Sequence, residues 1–350
     1  MGSGKITSFD IAHRAGVSQA TVSRALRDSP LVNPETRSKV KRIAHELNYQ
    51  VDRAAAGLRS QLSHTLAILL FEDPTTDDSQ INPFFLSMLG NITRVAARRN
   101  YDVLVSFQHL SNDWHIKYQL SNRADGIILL GYGDYKGFAD KLDKLISADA
   151  CFTVWGATGP ELKDRTIGCD NVSGAFDATS HLIGLGRRNI VFLGGTTDNC
   201  PELKQRYDGY CKALKSGGLG VDPDLQFDTD FQETSGFNAT DDLLKSGKPF
   251  DAIFAASDLL AIGAIKRLRA AGLKVPIDVS VIGFDDIPAA SYFNPSLTTV
   301  QQDTVAASEH LVNQVIRMIE GEKPESQLLH PRLIVRASCG GQKADGAEPS

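Results

Sequence analysis

Ile6-Thr-Ser-Phe-Asp-Ile-Ala-His-Arg-Ala-Gly-Val-Ser-Gln-Ala-Thr-Val-Ser-Arg-Ala-Leu26 reads as two short helices with a tight turn between them. Thr7 followed by Asp10 is a helix start, because hydroxyl and carboxylate satisfy the free amide groups of the first turn. Ile11, Ala12 and Ala15 give the first helix a small apolar face, and Gly16 permits the turn. Ser18 caps a second helix from Gln19 to about Arg27, with Val22, Ala25 and Leu26 on its inner side. Two such helices joined by a glycine turn form a helix-turn-helix. A third helix begins at Asn33-Pro34, carries Val40, Ile43, Ala44 and Leu47 at i, i+3, i+4, i+7, and ends near Asn48. Its other face holds Arg37, Lys39, Lys41 and Arg42.

The outward residues of the second helix are Ser18, Gln19, Ala20, Thr21, Ser23 and Arg24, which are small, polar or basic. Such a helix fits a major groove, with hydroxyls toward phosphates and Gln or Arg toward base edges. The charge distribution agrees. The 350-residue chain has a net charge of −5, yet residues 1–60 carry +5 and the remainder −10. A basic block on an acidic body points to a nucleic-acid module joined to something else.

The body alternates short apolar runs with helical spacing. Leu66–Phe71, Asp102–Phe107, Gly126–Leu130, Phe152–Trp155, Ile190–Leu193, Ala252–Ala255 and Val279–Phe284 are the expected strands. This alternation predicts βαβ units, parallel sheets and two lobes, with ligands outside the carboxyl ends of the strands. No run reaches the roughly 18 apolar residues of a membrane span, and the start has no apolar signal segment, so a cytoplasmic location is expected. The five cysteines (Cys151, Cys169, Cys200, Cys211, Cys339) have no metal-ligand spacing, so neither a zinc site nor a disulfide framework is expected. A nucleophile–base–acid grouping, a P-loop and an HExxH motif are all missing, which argues against an enzyme.

The opening segment resembles the N-terminal signature of the LacI/GalR family of bacterial transcriptional regulators, and the likeness continues through Val32-Asn-Pro-Glu-Thr-Arg37 and Leu47-Asn-Tyr49. It extends over the body through Asn82-Pro-Phe-Phe85, Cys169-Asp-Asn171, Arg206-Tyr-Asp-Gly-Tyr210, Ser257-Asp-Leu-Leu-Ala-Ile-Gly263, Val281-Ile-Gly-Phe-Asp-Asp286 and Leu297-Thr-Thr-Val-Gln-Gln-Asp303. The resemblance implies a helix-turn-helix domain (residues 1–50), a hinge helix and linker (51–62), and a two-lobed core like the periplasmic sugar-binding proteins (63–336). The first lobe would span about 63–167 and 301–322, the second about 168–300 and 323–336. A Gly-rich, polar tail over 337–350 is expected to be disordered.

For DNA, the resemblance assigns base reading to Gln19, Ala20 and Arg24, and phosphate contacts to Ser18, Thr21 and Ser23, with Asn33 and Tyr49 also at the interface. In the hinge, Arg53, Ala55 and Leu58 match, Leu58 being the residue that wedges a base step. Val51-Asp52 stands where the family has Pro-Asn. For the effector, it points to Asp73, Asn82, Phe84, Trp155, Arg206, Phe231, Ser257, Asp285 and Gln302. Trp155 takes a position often held by an acid, and Ser257 one often held by Asn. Planar side chains over a pyranose, with Asp and Arg on its hydroxyls, suit a saccharide. The expected protein is a repressor of carbohydrate genes that binds a palindromic DNA operator as a homodimer and answers to a small-molecule effector. That effector is a saccharide, with an α-glucoside such as maltose or sucrose the nearest guess; no cofactor or metal is expected. A purine- or sugar-phosphate-responsive regulator is the alternative, and a sugar-binding protein without a DNA role is a more distant one.

Overall fold

The computed structural model describes residues 6–26, 28–49, 62–71, 81–108, 113–131, 138–157, 162, 164–197 and 200–341. The chain forms two compact units, Met1–Ser63 and His64–Ser350. In the first unit, α1 is Ser8–Ala15, α2 Gln19–Leu26 and α3 Pro34–Glu46. The N–H and the hydroxyl of Thr7 each donate to the Asp10 carboxylate at 2.7 Å. Gly16 stops α1 with φ 68°, a left-handed conformation that side-chain-bearing residues avoid. Ile11, Ala15, Val22, Ala25, Val40 and Ile43 meet in one small core.

In the second unit the elements are β1 Thr65–Leu70, α4 Pro83–Arg98, β2 Asp102–Phe107, β3 Gly126–Leu130, α5 Ala139–Ser147, β4 Phe152–Trp155 and β5 Thr166–Cys169. There follow α6 Asn171–Gly184, β6 Ile190–Leu193, α7 Pro201–Ser216, β7 Gln226–Phe227, α8 Glu233–Ser246, β8 Ala252–Ala255 and α9 Asp258–Ala270. The chain closes with β9 Ser280–Asp285, α10 Pro288–Tyr292, β10 Thr298–Gln301, α11 Thr304–Ile319, β11 Gln327–Leu329 and β12 Arg332–Ile334. They build two six-stranded sheets of like order, β11-β5-β4-β3-β1-β2 and β12-β10-β9-β8-β6-β7. Every pairing is parallel except that of β10 with β12. β1, β3, β4, β6, β8 and β9 are buried almost throughout, as strands covered on both faces by helices must be.

Two of the sequence boundaries need correction. The expected second lobe includes residues 323–329, but β11 pairs with β5 in the first sheet, Gln327 opposite Ile167 and Leu329 opposite Cys169. The chain passes to the second sheet only across His330-Pro331. The tail does not begin at 337. Ser338 and Cys339 are buried, the Ser338 hydroxyl donates to the Val281 carbonyl at 2.6 Å, and Ser280 Oγ donates to the Cys339 carbonyl at 2.7 Å. These bonds satisfy polar groups that burial beside β9 would otherwise strand. The strands β5, β7, β10, β11 and β12 were absent from the sequence reading, being two to four residues long and mixed in polarity.

α8 and α9 pack through glycine. A Cβ on Gly236 would lie 2.2 Å from the Leu260 carbonyl oxygen, and one on Gly263 2.0 Å from that of Glu233. This close crossing fixes the helix whose first turn carries Ser257 and Asp258. Gly263→Ala should therefore cost about 1–3 kcal/mol of stability. Urea unfolding measures it; an unmoved midpoint would show that the helices separate without penalty.

Candidate effector cleft and DNA-reading helix

In the first unit Ser18 caps α2: its Oγ accepts the Thr21 N–H at 3.1 Å and lies 2.9 Å from the Thr21 hydroxyl. Gln19 Nε2 donates to Ser8 Oγ at 2.7 Å, which ties α2 to α1. Ala20 and Arg24 are exposed, and Thr21 and Ser23 half-exposed. Asn33 caps α3, accepting the Glu35 N–H at 2.9 Å, and Tyr49 packs against the core of the unit. α2 thus presents Ala20 and Arg24 outward while Ser18 and Gln19 also brace the motif. Arg53, Ala55, Leu58 and Asp73 lie outside the described residues.

The second unit places the other effector candidates near the carboxyl ends of its strands. Arg206, fully buried on α7, is the centre of the group. Its guanidinium lies 3.8 Å from the Phe284 ring centroid. Nε donates to Asn171 Oδ1 at 2.9 Å, and Nη1 donates to the Ala256 carbonyl at 2.5 Å and to Asp285 Oδ1 at 3.4 Å. Gln302 Nε2 donates to the same Asp285 oxygen at 2.7 Å. A buried charge is tolerable only when paired and hydrogen-bonded, and here both conditions hold.

Asp285 ends β9 with φ 112°, and Asp286 follows at φ 54°. Both angles are unusual for residues with side chains, and such strain of about 1–3 kcal/mol persists only where neighbours impose it. Four contacts do so. Asp258 Oδ2 accepts the Ile287 N–H at 2.8 Å, and the Thr299 hydroxyl donates to Asp258 Oδ1 at 2.5 Å. Asp286 accepts from Arg336 Nη2 at 2.7 Å and from Gln301 Nε2 at 2.8 Å.

Phe84, Asp285 and Gln302 line one cavity of about 340 Å³, together with Ser87, Ile287 and Thr304. Trp155, Arg206, Phe231 and Ser257 are not among its lining residues. Trp155 is buried in the apolar core, its ring centroid 6.1 Å from that of Phe84. Phe231 packs half-buried against that core. Asn82 caps α4 by accepting the Phe84 N–H at 2.9 Å, and Ser257 caps α9 by accepting the Leu260 N–H at 3.3 Å. The expected platforms and polar contacts are therefore partly structural. Asn171, Asp258 and Phe284, which hold Arg206 and the turn at Asp285, have no role in the sequence reading, although each lies within one of the motifs Cys169–Asn171, Ser257–Gly263 and Val281–Asp286. Among the described residues no group of three or more His, Cys, Asp or Glu is placed to hold a metal ion. Nor is any helix long and apolar enough to cross a membrane.

The protein-family model described as bacterial regulatory proteins, lacI family, matches residues 9–52, and the periplasmic binding protein-like domain matches 179–339. The transcriptional regulator RegA of Clostridium saccharobutylicum is 33% identical over 94% of this chain and 98% of its own length. The regulator CelR of Thermobifida fusca is 31% identical over 94% of this chain and 96% of its own length. A solved CelR–cellobiose complex superposes with TM-score 0.70 at 29% identity, covering 95% of this chain and 99% of that one. The chain belongs to the LacI family of bacterial transcriptional regulators. It is a regulator with a helix-turn-helix domain and a two-lobed core of parallel sheets, and not an enzyme.

Burial, then the charge of Asp285, pushes the Asp258 carboxyl well above its ordinary value of 3.8. Burial likewise lifts the Cys169 thiol to about 12. A carboxyl raised on folding keeps its proton where the unfolded chain has lost it. Its contribution to stability is thus full below pH 3.8 and declines as pH rises from there toward the folded value. Asp258→Asn should flatten that decline. Melting temperatures between pH 4 and 7 test this; equal slopes for the two proteins would refute it.

Proposed function

We propose that this chain is a repressor of carbohydrate-utilisation genes whose affinity for a palindromic operator is switched by an uncharged saccharide bound between the two lobes. The single observation behind the effector reading is the Arg206–Asp285–Gln302 network beside Phe84 and the 340 Å³ cavity. An acidic acceptor, an amide and an aromatic face are what a pyranose uses, and the volume falls in the usual range for small ligands. Similarity to a regulator solved with cellobiose supports the same class. Maltose, sucrose and cellobiose are the first candidates. The protein works in the cytoplasm, without cofactor or metal, as a homodimer, because two α2 helices must meet two half-sites. The outward Arg24 carries the operator contact, and Leu58 the minor-groove wedge implied by the family likeness.

The effector acts by preferring one lobe arrangement, so it shifts operator affinity only as far as it discriminates between the two. A selected operator, titrated by fluorescence anisotropy with and without maltose, sucrose, cellobiose, hypoxanthine and guanine, tests the reading. One saccharide should change operator affinity, and Asp285→Asn should abolish that change. A response to a purine alone would overturn the saccharide assignment. Arg24→Ala should weaken operator binding by about 1–3 kcal/mol with an unchanged melting temperature. Leu58→Ala should weaken operator binding and leave saccharide binding intact; equal loss of both would remove the hinge assignment.

A further inference from the structure

Among the described residues of the first unit, three large apolar side chains face water: Ile6 is 38% exposed, Phe9 67% and Leu31 81%. None of them joins the core of that unit. A lone exposed leucine needs no explanation. Here the placement decides, because all three stand at the ends of α2.

Ile6 and Phe9 lie at its N-terminal end. They bracket Ser8, whose Oγ accepts from Gln19 Nε2 at 2.7 Å in the first turn of α2. The flank of α1 that meets α3 is marked by Arg14, which donates to Glu46 at 3.2 Å. At 3.6 residues per turn, Phe9 lies about 140° round α1 from Arg14, on the flank turned away from α3. Leu31 lies at the other end of α2. The Ser29 N–H donates to the Arg24 carbonyl at 3.0 Å, which folds the chain back against the last turn of that helix. Val32 then enters the core, and Leu31 beside it is left outside. The outer face of α3 differs: Lys39, Lys41 and Arg42 are exposed there, and no large apolar side chain is.

Between its two ends α2 exposes Ala20 and Arg24. The ion pairs among the described residues of this unit are Arg14–Glu46, Arg42–Glu46, Arg37–Asp28 and Lys41–Asp28, and Arg24 is outside them. With a net charge of +5 over residues 1–60, this surface suits a polyanion. Phe9 and Leu31 cannot bond a phosphate. The apolar group that base edges show in the major groove is the 5-methyl of thymine. α2 is about 12 Å long, so its two ends stand over different base pairs of a groove it enters.

We propose that Phe9 and Leu31 are specificity-determining residues for DNA: each packs on a thymine 5-methyl in the major groove, one at each end of α2. Together they add T·A pairs to the operator beyond those selected by the polar side chains of α2. This rests on the operator reading above and deepens it.

Fluorescence anisotropy with the full-length protein and its selected operator tests the proposal, with deoxyuridine replacing one thymine at a time in both half-sites. Deoxyuridine keeps the hydrogen-bonding edge of thymine and lacks only the methyl. At two thymine positions the wild type should bind about fourfold more weakly for each half-site substituted, the loss expected for one buried methyl. Leu31→Ala should abolish the loss at one of these positions and Phe9→Ala at the other. An operator bound sequence-specifically, with no loss at any deoxyuridine position, overturns this inference and leaves the operator reading standing. Losses that persist undiminished in both variants remove Phe9 and Leu31 from the explanation. Failure to select any preferred duplex overturns the operator reading and this inference with it. The wild-type series needs no variant, so a folding defect in either variant would not obscure the outcome.

Discussion

A guanidinium without access to water is the constraint around which the second lobe is arranged. Arg206 can be buried only if its donors are met and its charge is matched. Asn171 at the start of α6, the Ala256 carbonyl after β8, Phe284 in β9 and Asp285 at its end meet those needs. The partners come from the ends of three different elements. The requirement of one side chain thus sets the register of α6, α7, β8 and β9 against one another. The left-handed backbone at Asp285 and Asp286 follows from it: the acid must turn back toward Arg206 while Asp258 and Arg336 hold the turn. Strain at this point is a consequence of placing an acceptor where both the arginine and Gln302 reach it.

Much of the molecule was legible because its signals are local. The Thr7–Asp10 start, Gly16 and Asn33-Pro34 are decisions made within three or four residues, and the three helices form where those signals place them. The strands β1, β3, β4, β6, β8 and β9 are mostly apolar and almost wholly buried, as strands covered on both faces are. The misses are non-local. Gln327-Leu-Leu329 has no alternation and no neighbour in sequence to pair with, so nothing in it tells which sheet receives it; only its pairing with β5 decides. Ser338 and Cys339 look like tail because they are small, yet both are buried and hydrogen-bonded to β9.

The site shows the same division. Arg206, Asp285 and Gln302 were named from motifs, and they meet within hydrogen-bond distance. Motifs do not reveal which atoms are already engaged. Asn82 and Ser257 stand at helix starts, where their oxygens cap backbone amides, and Trp155 is enclosed in the core.

The three links between the sheets are very short. Asp170 alone separates β5 from α6, Gln302-Asp303 separates β10 from α11, and His330-Pro331 separates β11 from β12. Segments of one or two residues cannot stretch, so sliding of one sheet past the other is forbidden while swivelling about the line of the links is not. Gln302 is both one of these pivots and a partner of Asp285. On the proposed effector reading, a molecule that competes for Asp285 would pull on an axle rather than on a wall. On that reading, recognition and rotation would share one residue, with no relay needed between pocket and joint.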